Sequence, residues 1–281
     1  MNLYDLMMKR RSIRYFEHEE IPQPVIEKLL DAASNAPSGG NIQPISIILV
    51  QEAEGRKELA EMVGNQPWVN NAPLSMVLCI DFYRVKKWAS MFDTDFKGEN
   101  TFSLFLIAYA DLMIAAENVV ILAESYGLGS VYVGTIQQSI EKARQYFGMP
   151  ECVLPMMVLS IGYPKSIPKN IPKLKRNVIV HREKYEVPSD DEIRRTFEDK
   201  YGDFDSNIEK YLEKAYVEVV EADKQQAESW TEWAKEEMKR LEIKNNAQFL
   251  FKFRYPTEKI MKRNKHLFHA LEKAGFDFFS R

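Results

Sequence analysis

Three continuous apolar, β-branched runs stand out along the chain, at residues 45–50, 74–80 and 154–161. Short runs without polar alternation predict strands covered on both faces. A shorter run at 130–133, set between glycines, predicts a fourth. Elsewhere the spacing turns helical. Leu3, Leu6, Met7 and Arg10 recur at helical spacing, and Pro22 and Pro24 open a second helix with the stripe Val25, Leu29, Ala32, Ala33 and Ala36. Residues 55–63 and 137–147 predict further helices, the second stopped by Gly148 and Pro150.

The longest helix runs from Phe102 to a stop at Gly127-Leu128-Gly129, with no Gly or Pro inside it. It is apolar enough for a membrane, yet it carries Asp111, Glu117, Asn118 and Glu124, each costly in lipid, so a buried helix is the expectation. Residues 81–99 lack a clear period and hold Trp88, Phe92 and Phe96; they predict a partly helical surface excursion. A Pro- and Lys-rich extended segment follows at 164–175. Beyond Pro188 charges become dense and helical stripes return: Ile208, Leu212, Ala215, Tyr216, Val219 and Val220, then Ala227, Trp230, Ala234, Met238 and Leu241. A boundary near Val187 divides a first domain, 1–187, from a helical extension, 188–281.

Composition narrows the function classes. With 45% hydrophobic residues, 28% charged residues and a net charge of −3, the chain reads as globular, without the basic surplus that nucleic acid or an anionic membrane would call for. Cys79 and Cys152 lie far apart in apolar stretches, outside any metal-ligand spacing, and are expected to be buried thiols in a reducing compartment. The start, MNLYDLMMKRRSIR, lacks the pattern of a secretory leader, so a cytoplasmic location is expected. No GxGxxG, P-loop or GxSxG motif occurs. His266 and His269 are spaced to share a helix face, but no carboxylate or cysteine is arranged around them, and no metal is expected.

Three clusters could carry chemistry. Arg10, Arg11 and Arg14, with the Ser12 hydroxyl among them, could wrap a phosphate, since guanidinium forks match phosphate oxygens. They could equally be a solvated patch that complements a helix C-terminus. Ser38-Gly39-Gly40-Asn41 could bring backbone close to a ligand or simply turn the chain, and Gly134 after its strand admits the same two readings.

The order of these segments is what resembles the FMN-dependent nitroreductase family. The resemblance rests on RRSIR (10–14), APSGGNIQP (36–44), NNAPLSMVL (70–78), DLMIAAENVVILAESYGLGSVYVG (111–134), LPMMVLSIGYP (154–164) and KLKR (173–176). It implies an α+β fold with a central, mostly antiparallel sheet flanked by helices, in an intertwined homodimer that holds FMN between subunits. On that resemblance Arg10, Ser12 and Arg14 would contact the phosphate or the flavin ring, with Arg11 of the same motif counted among the cofactor-binding residues and Arg176 at the phosphate. Pro37, Ser38, Gly39 and Asn41 would come from the partner subunit. Asn71, with Asn70 an equally near match, would approach the pyrimidine side, while Val133, Gly134 and Thr135 would line the redox-active edge.

The chemistry implied is hydride transfer from NAD(P)H through FMN to nitroaromatics, quinones or related electrophiles, with no obligatory side-chain acid, base or nucleophile. The family also contains reductive dehalogenases, a flavin-fragmenting enzyme and heterocycle oxidases, and the chain could instead be a flavin-binding sensor whose tail docks a partner. Residues 177–181 depart from the family pattern, and the extension after Val187 lies outside the common core. The extension would clamp the dimer, cap the cleft or dock another protein. Trp88, Phe92 and Phe96 would pack, or stack on an aromatic substrate.

Overall fold

The computed structural model describes residues 2–220 and 224–278. The chain divides into two compact units, one of Met1–Pro168 with Arg263–Arg281, the other of Lys169–Lys262. The composition boundary at Val187 therefore falls inside the second unit, and residues 263–278 belong with the first.

The first unit is built on four strands, β1 (Ile45–Val50), β2 (Leu74–Asp81), β3 (Gly129–Val133) and β4 (Val153–Gly162), in the order β1-β2-β4-β3 with every neighbour antiparallel. β2 is buried throughout, whereas β1, read from sequence as a buried strand, is an edge strand and mostly half-buried. The β2–β4 register shifts between Leu78 and Cys79, where Cys79 faces Pro155. Proline has no N–H to give to a ladder, so a central strand that contains one accommodates it by an irregularity.

Helices cover both faces. On one face Leu74, Met76, Leu78, Ile80, Leu154 and Ile161 pack with α2 (Gln23–Ser34), α6 (Phe102–Ser125) and the end of α13 (Thr257–Lys273). On the other, Val77, Cys79, Val131, Val133 and Val158 pack with α3 (Ala53–Met62), the short α4 (Pro67–Asn71) and α7 (Ile140–Tyr146). The alternation of a strand's side chains sends each continuous apolar run into two separate cores. The excursion is helical over α5 (Phe82–Met91), and the segment predicted as one helix at 137–147 is a 3-10 turn, Gly134–Gln138, followed by α7. Ser139 separates them in a non-helical conformation.

α6 buries Phe105, Ala108, Leu112, Ala115, Ala116, Val119, Val120 and Ala123. Its length and composition would suffice to cross a membrane. Its polar residues, however, are used inside the fold: Asp111 accepts from Gly39 N–H, Glu117 from the Tyr132 hydroxyl, and Asn118 donates to the Ala32 carbonyl. At the other end of the chain Phe276 is buried against Phe82 and Phe105. The Cys152 N–H donates to the Ala274 carbonyl at 2.8 Å, tying the C-terminal segment to β4.

The second unit is helical: α8 (Arg176–Ile179), α9 (Asp190–Tyr201), α10 (Phe204–Val220), α11 (Lys224–Arg240), α12 (Asn246–Gln248), a π-helical turn Phe249–Arg254 and the start of α13. Ser189 and Glu192 form a capping box at α9. Leu212, Ala234, Met238 and Phe249 make its core, with Ile208 and Trp230 packed against them, as the two stripes predict. The side chains of Tyr216, Val219 and Val220, which the first stripe also contains, lie outside the described residues.

Gly129 and Gly162 face each other across β3 and β4. A Cβ on Gly129 would lie 2.3 Å from Ile13 Cγ1, and one on Gly162 would lie 2.6 Å from Pro73 Cδ and 2.9 Å from Phe16 Cδ1. Gly129→Ala is therefore expected to cost about 1–3 kcal/mol, the usual range for overpacking. A urea midpoint unchanged from wild type would contradict this close packing.

Candidate functional site

The basic run starts where α1 (Leu3–Lys9) stops. Arg11 turns back on that helix, and its Nη1 donates to the carbonyls of Met8, Lys9 and Arg10 at 3.1, 2.8 and 2.8 Å. These are carbonyls a helix end leaves unsatisfied, so Arg11 caps the helix. The chain then runs beside the sheet. Ser12 bridges Ser130 in parallel, the Ile13 N–H donates to the Ser130 carbonyl at 2.9 Å, and Phe16 bridges Pro164. Ile13 and Phe16 are buried, which fixes Ser12 and Arg14 next to β3. The Arg14 guanidinium carbon lies 5.3 Å from the centre of the Trp68 ring, a cation–π distance.

Trp68 belongs to α4, a helix that Pro67 starts in its favoured first-turn position. The residue before it, Gln66, donates its amide to the Val63 carbonyl at 2.9 Å and to Thr135 Oγ1 at 2.8 Å. The Thr135 hydroxyl in turn donates to the Val63 carbonyl at 2.8 Å. The Thr135 side chain is thus committed internally, and Val133 is buried. Gly134 is exposed, at the opening of the 3-10 turn, where the first N–H groups have no partner within the turn. Asn70 and Asn71 end α4 with both residues exposed, and the Asn70 carbonyl accepts from Arg56 Nε at 3.1 Å.

The glycine loop is positioned from elsewhere. The Gly39 N–H donates to both carboxylate oxygens of Asp111 at 3.1 Å, and Ser38 Oγ accepts from the Gln43 N–H at 3.2 Å. A Cβ on Gly39 would meet Ile107 Cγ2 at 2.7 Å, so only glycine lets the loop lie this close to α6. Gly40, Asn41 and Gln43 all have positive φ, and Pro37, Gly39 and Asn41 are exposed. Arg176 opens α8 in the second unit and is exposed.

Arg10 lines a narrow cleft of ≈ 110 Å³ together with Leu6, Met7, Glu117, Ile121 and Glu124. Burial pushes the Glu124 carboxyl above the usual carboxylate range, against the opposing pull of Arg10 and Arg11. Tyr132 is raised as well, first by burial and then by Glu117. The two thiols are buried, and burial pushes Cys79 up to about 12 and Cys152 up to about 11, the reverse of what a reactive thiolate needs. On the excursion Trp88 and Phe92 are exposed, while Phe96 packs edge-on against Phe82.

Sequence reasoning brought Arg10, Ser12, Arg14 and Gly134 forward but passed over Gln66, Trp68 and the part Asp111 plays. The available signal was Pro67 at a helix start beside an aromatic, and a carboxylate, Asp111, inside a long apolar helix.

Comparison with known proteins places this geometry in context. The Nitroreductase family model matches residues 7–163. The chain is 31% identical over 216 residues to "FMN reductase (NADPH)" of Bacillus subtilis (strain 168), covering 75% of this chain and 83% of that protein. It is 32% identical over 193 residues to "NADPH-flavin oxidoreductase" of Vibrio harveyi, covering 69% and 78%. The solved structure of B. megaterium NfrA2 matches with a TM-score of 0.72 at 27% identity, covering 100% of both chains.

Because the folded-state pKa of Glu124 lies above its unfolded value, the stability linked to its neutral form is present at low pH and lost as pH rises through the folded pKa. Glu124→Gln is expected to melt higher than wild type at pH 8, with the gap closing near pH 4. A gap that instead widens on acidification would show that Arg10 and Arg11 outweigh burial.

Proposed function

Because the chain belongs to the nitroreductase family, we propose that it binds FMN and works as an NAD(P)H-dependent flavin oxidoreductase, reducing nitroaromatics, quinones or related small electrophiles. The observation that carries this reading is the course of the basic run. Ser12 is paired with Ser130, four residues before Gly134, so the cationic segment and the exposed glycine turn share one edge of one sheet.

The residues present fit the cofactor. Arg10, Ser12 and Arg14 offer charged and hydroxyl donors suited to a phosphate and to the electron-rich side of a flavin. A Cβ built on Gly134 meets nothing closer than Met157 Cε and Sδ at 3.7 Å, so the backbone there is open to a flat ring. When bound, FMN supplies a centre that accepts hydride from a reduced nicotinamide and delivers it to the acceptor. Around it the Gly134 N–H would donate to the ring edge, and the guanidinium groups of Arg10 and Arg14 would favour negative charge. Asn71, with Asn70 beside it, would reach the polar side of the ring. Val133 and Thr135 would contribute backbone, since the side chain of one is buried and that of the other is bonded internally.

The homodimer belongs to the same proposal. Leu106, Ile107 and Ile114 are exposed on α6, and Leu3, Tyr4, Met7 and Met8 on α1. Apolar side chains this numerous on a core helix and its neighbour are suited to a second copy. That copy would bring Pro37, Ser38, Gly39 and Asn41 of its own loop to the site. We place the enzyme in the cytoplasm, with both buried thiols reduced.

The purified protein is expected to sediment as two chains and to show flavin absorption bands that bleach anaerobically with NADPH or NADH. With one ring face serving donor and acceptor in turn, initial-rate lines should be parallel. Bands that persist with both nicotinamides would move the reading to a specialised relative or a flavin-binding sensor. A protein that is colourless and refuses added FMN would sink it.

The arginines separate by role. Arg10→Ala and Arg14→Ala should weaken FMN binding by roughly 10- to 100-fold, the loss of a charge-assisted hydrogen bond. Arg11→Ala should bind FMN near the wild-type level and lower the melting temperature instead. Equal FMN losses at all three positions would refute the division.

A further inference from the structure

We propose that Trp68 is a positioning residue for Arg14, holding its guanidinium where the cofactor needs it; this rests on the FMN reading above. Arg14 has a long side chain with much rotamer freedom to lose, and a charge that points in many directions binds an anion poorly. A flat aromatic surface against the guanidinium removes part of that freedom without taking up hydrogen-bond donors. Trp68 supplies that surface at 5.3 Å.

The indole is itself well fixed. It packs against the apolar core that contains Val69, Ala72, Val131 and Val133, and its helix is started by Pro67. Its Nε1 is buried with no hydrogen-bond partner among the described residues. Toward Arg14 it is the ring face that the indole presents.

The same short segment also reaches the other side of the site. Gln66 binds Thr135 Oγ1 and the Val63 carbonyl, and Thr135 follows Gly134. One stretch of three residues, Gln66-Pro67-Trp68, thereby sets both the cation and the glycine turn. A shift of α4 would move the two contacts together.

The test uses the full-length protein, with FMN affinity read by flavin fluorescence and folding checked by thermal unfolding. Trp68→Leu, which keeps apolar bulk but no ring face, should weaken FMN about five-fold, the worth of one cation–π contact. Trp68→Phe, which keeps a ring and removes the orphaned N–H, should bind within about two-fold of wild type. In the pair Arg14→Ala with Trp68→Leu, the loss should be no greater than for Arg14→Ala alone, because Trp68 acts only through Arg14.

Wild-type affinity in the folded Leu variant would overturn the proposal. So would additive losses in the double variant, or a Phe variant as weak as the Leu variant. Wild-type protein that binds no FMN would bring down the underlying reading and this proposal with it. FMN binding in wild type with any of the three former results would bring down this proposal alone.

Discussion

The close approach of the N-terminal run to the β3–β4 end of the sheet is the constraint on which the rest of the first unit depends. It is possible because Gly129 and Gly162 sit opposite each other, leaving room for Ile13 and Phe16 where side chains would otherwise stand. Those two buried residues bracket Arg14 and hold the polar run along β3. The positive charges are therefore placed by packing and by backbone pairing. A cluster of arginines in a flexible segment would have the same charge and far less selectivity, because each guanidinium would have to be ordered by its ligand.

The long helix α6 serves the core and the site at once. Its small residues, Ala108, Ala115, Ala116 and Ala123, let it lie close against the sheet and α2. Each polar departure from the apolar pattern is put to use. Asp111 fixes the glycine loop, Asn118 holds the end of α2, Glu117 takes the Tyr132 hydroxyl, and Glu124 faces Arg10 and Arg11. A buried polar group is tolerated where a partner satisfies it, as the Gly39 N–H does for Asp111 and the Ala32 carbonyl for the half-buried Asn118; one Glu124 oxygen has no hydrogen-bond partner among the described residues. The apolar residues left exposed on the same helix are what a second copy would cover under the proposed dimer.

In a flavoenzyme the redox chemistry is carried by the cofactor and the protein's part is to hold and polarise it. Such a protein has to hold a cofactor, present donors to it, and leave one face accessible. Under the proposed function, the cations positioned beside β3 and the exposed Gly134 turn would meet these demands. Its thiols are pushed out of the reactive range by burial, so they do not compete for the chemistry.

The strands, the helical stripes and the basic run were legible in the sequence, because hydrophobic periodicity and turn residues act locally. β1 is matched residue for residue at 45–50, and α6 was bounded correctly by its glycine stop. Family membership was legible too, since it depends on the order of segments. What the sequence could not supply were relations that arise only when distant segments pack. Arg11 looked equivalent to Arg10 and Arg14 until its carbonyl partners on α1 were seen. Gln66 and Trp68 were marked only by the helix-starting Pro67 between them, which says nothing of their contacts with Thr135 and Arg14. Likewise the last residues of the chain read as part of a helical extension, yet they belong with the first unit, where Phe276 packs on Phe82 and Phe105. Periodicity states which face of an element is buried; the partner that buries it is decided by tertiary packing, because contacts between segments far apart in the chain leave no imprint on local spacing.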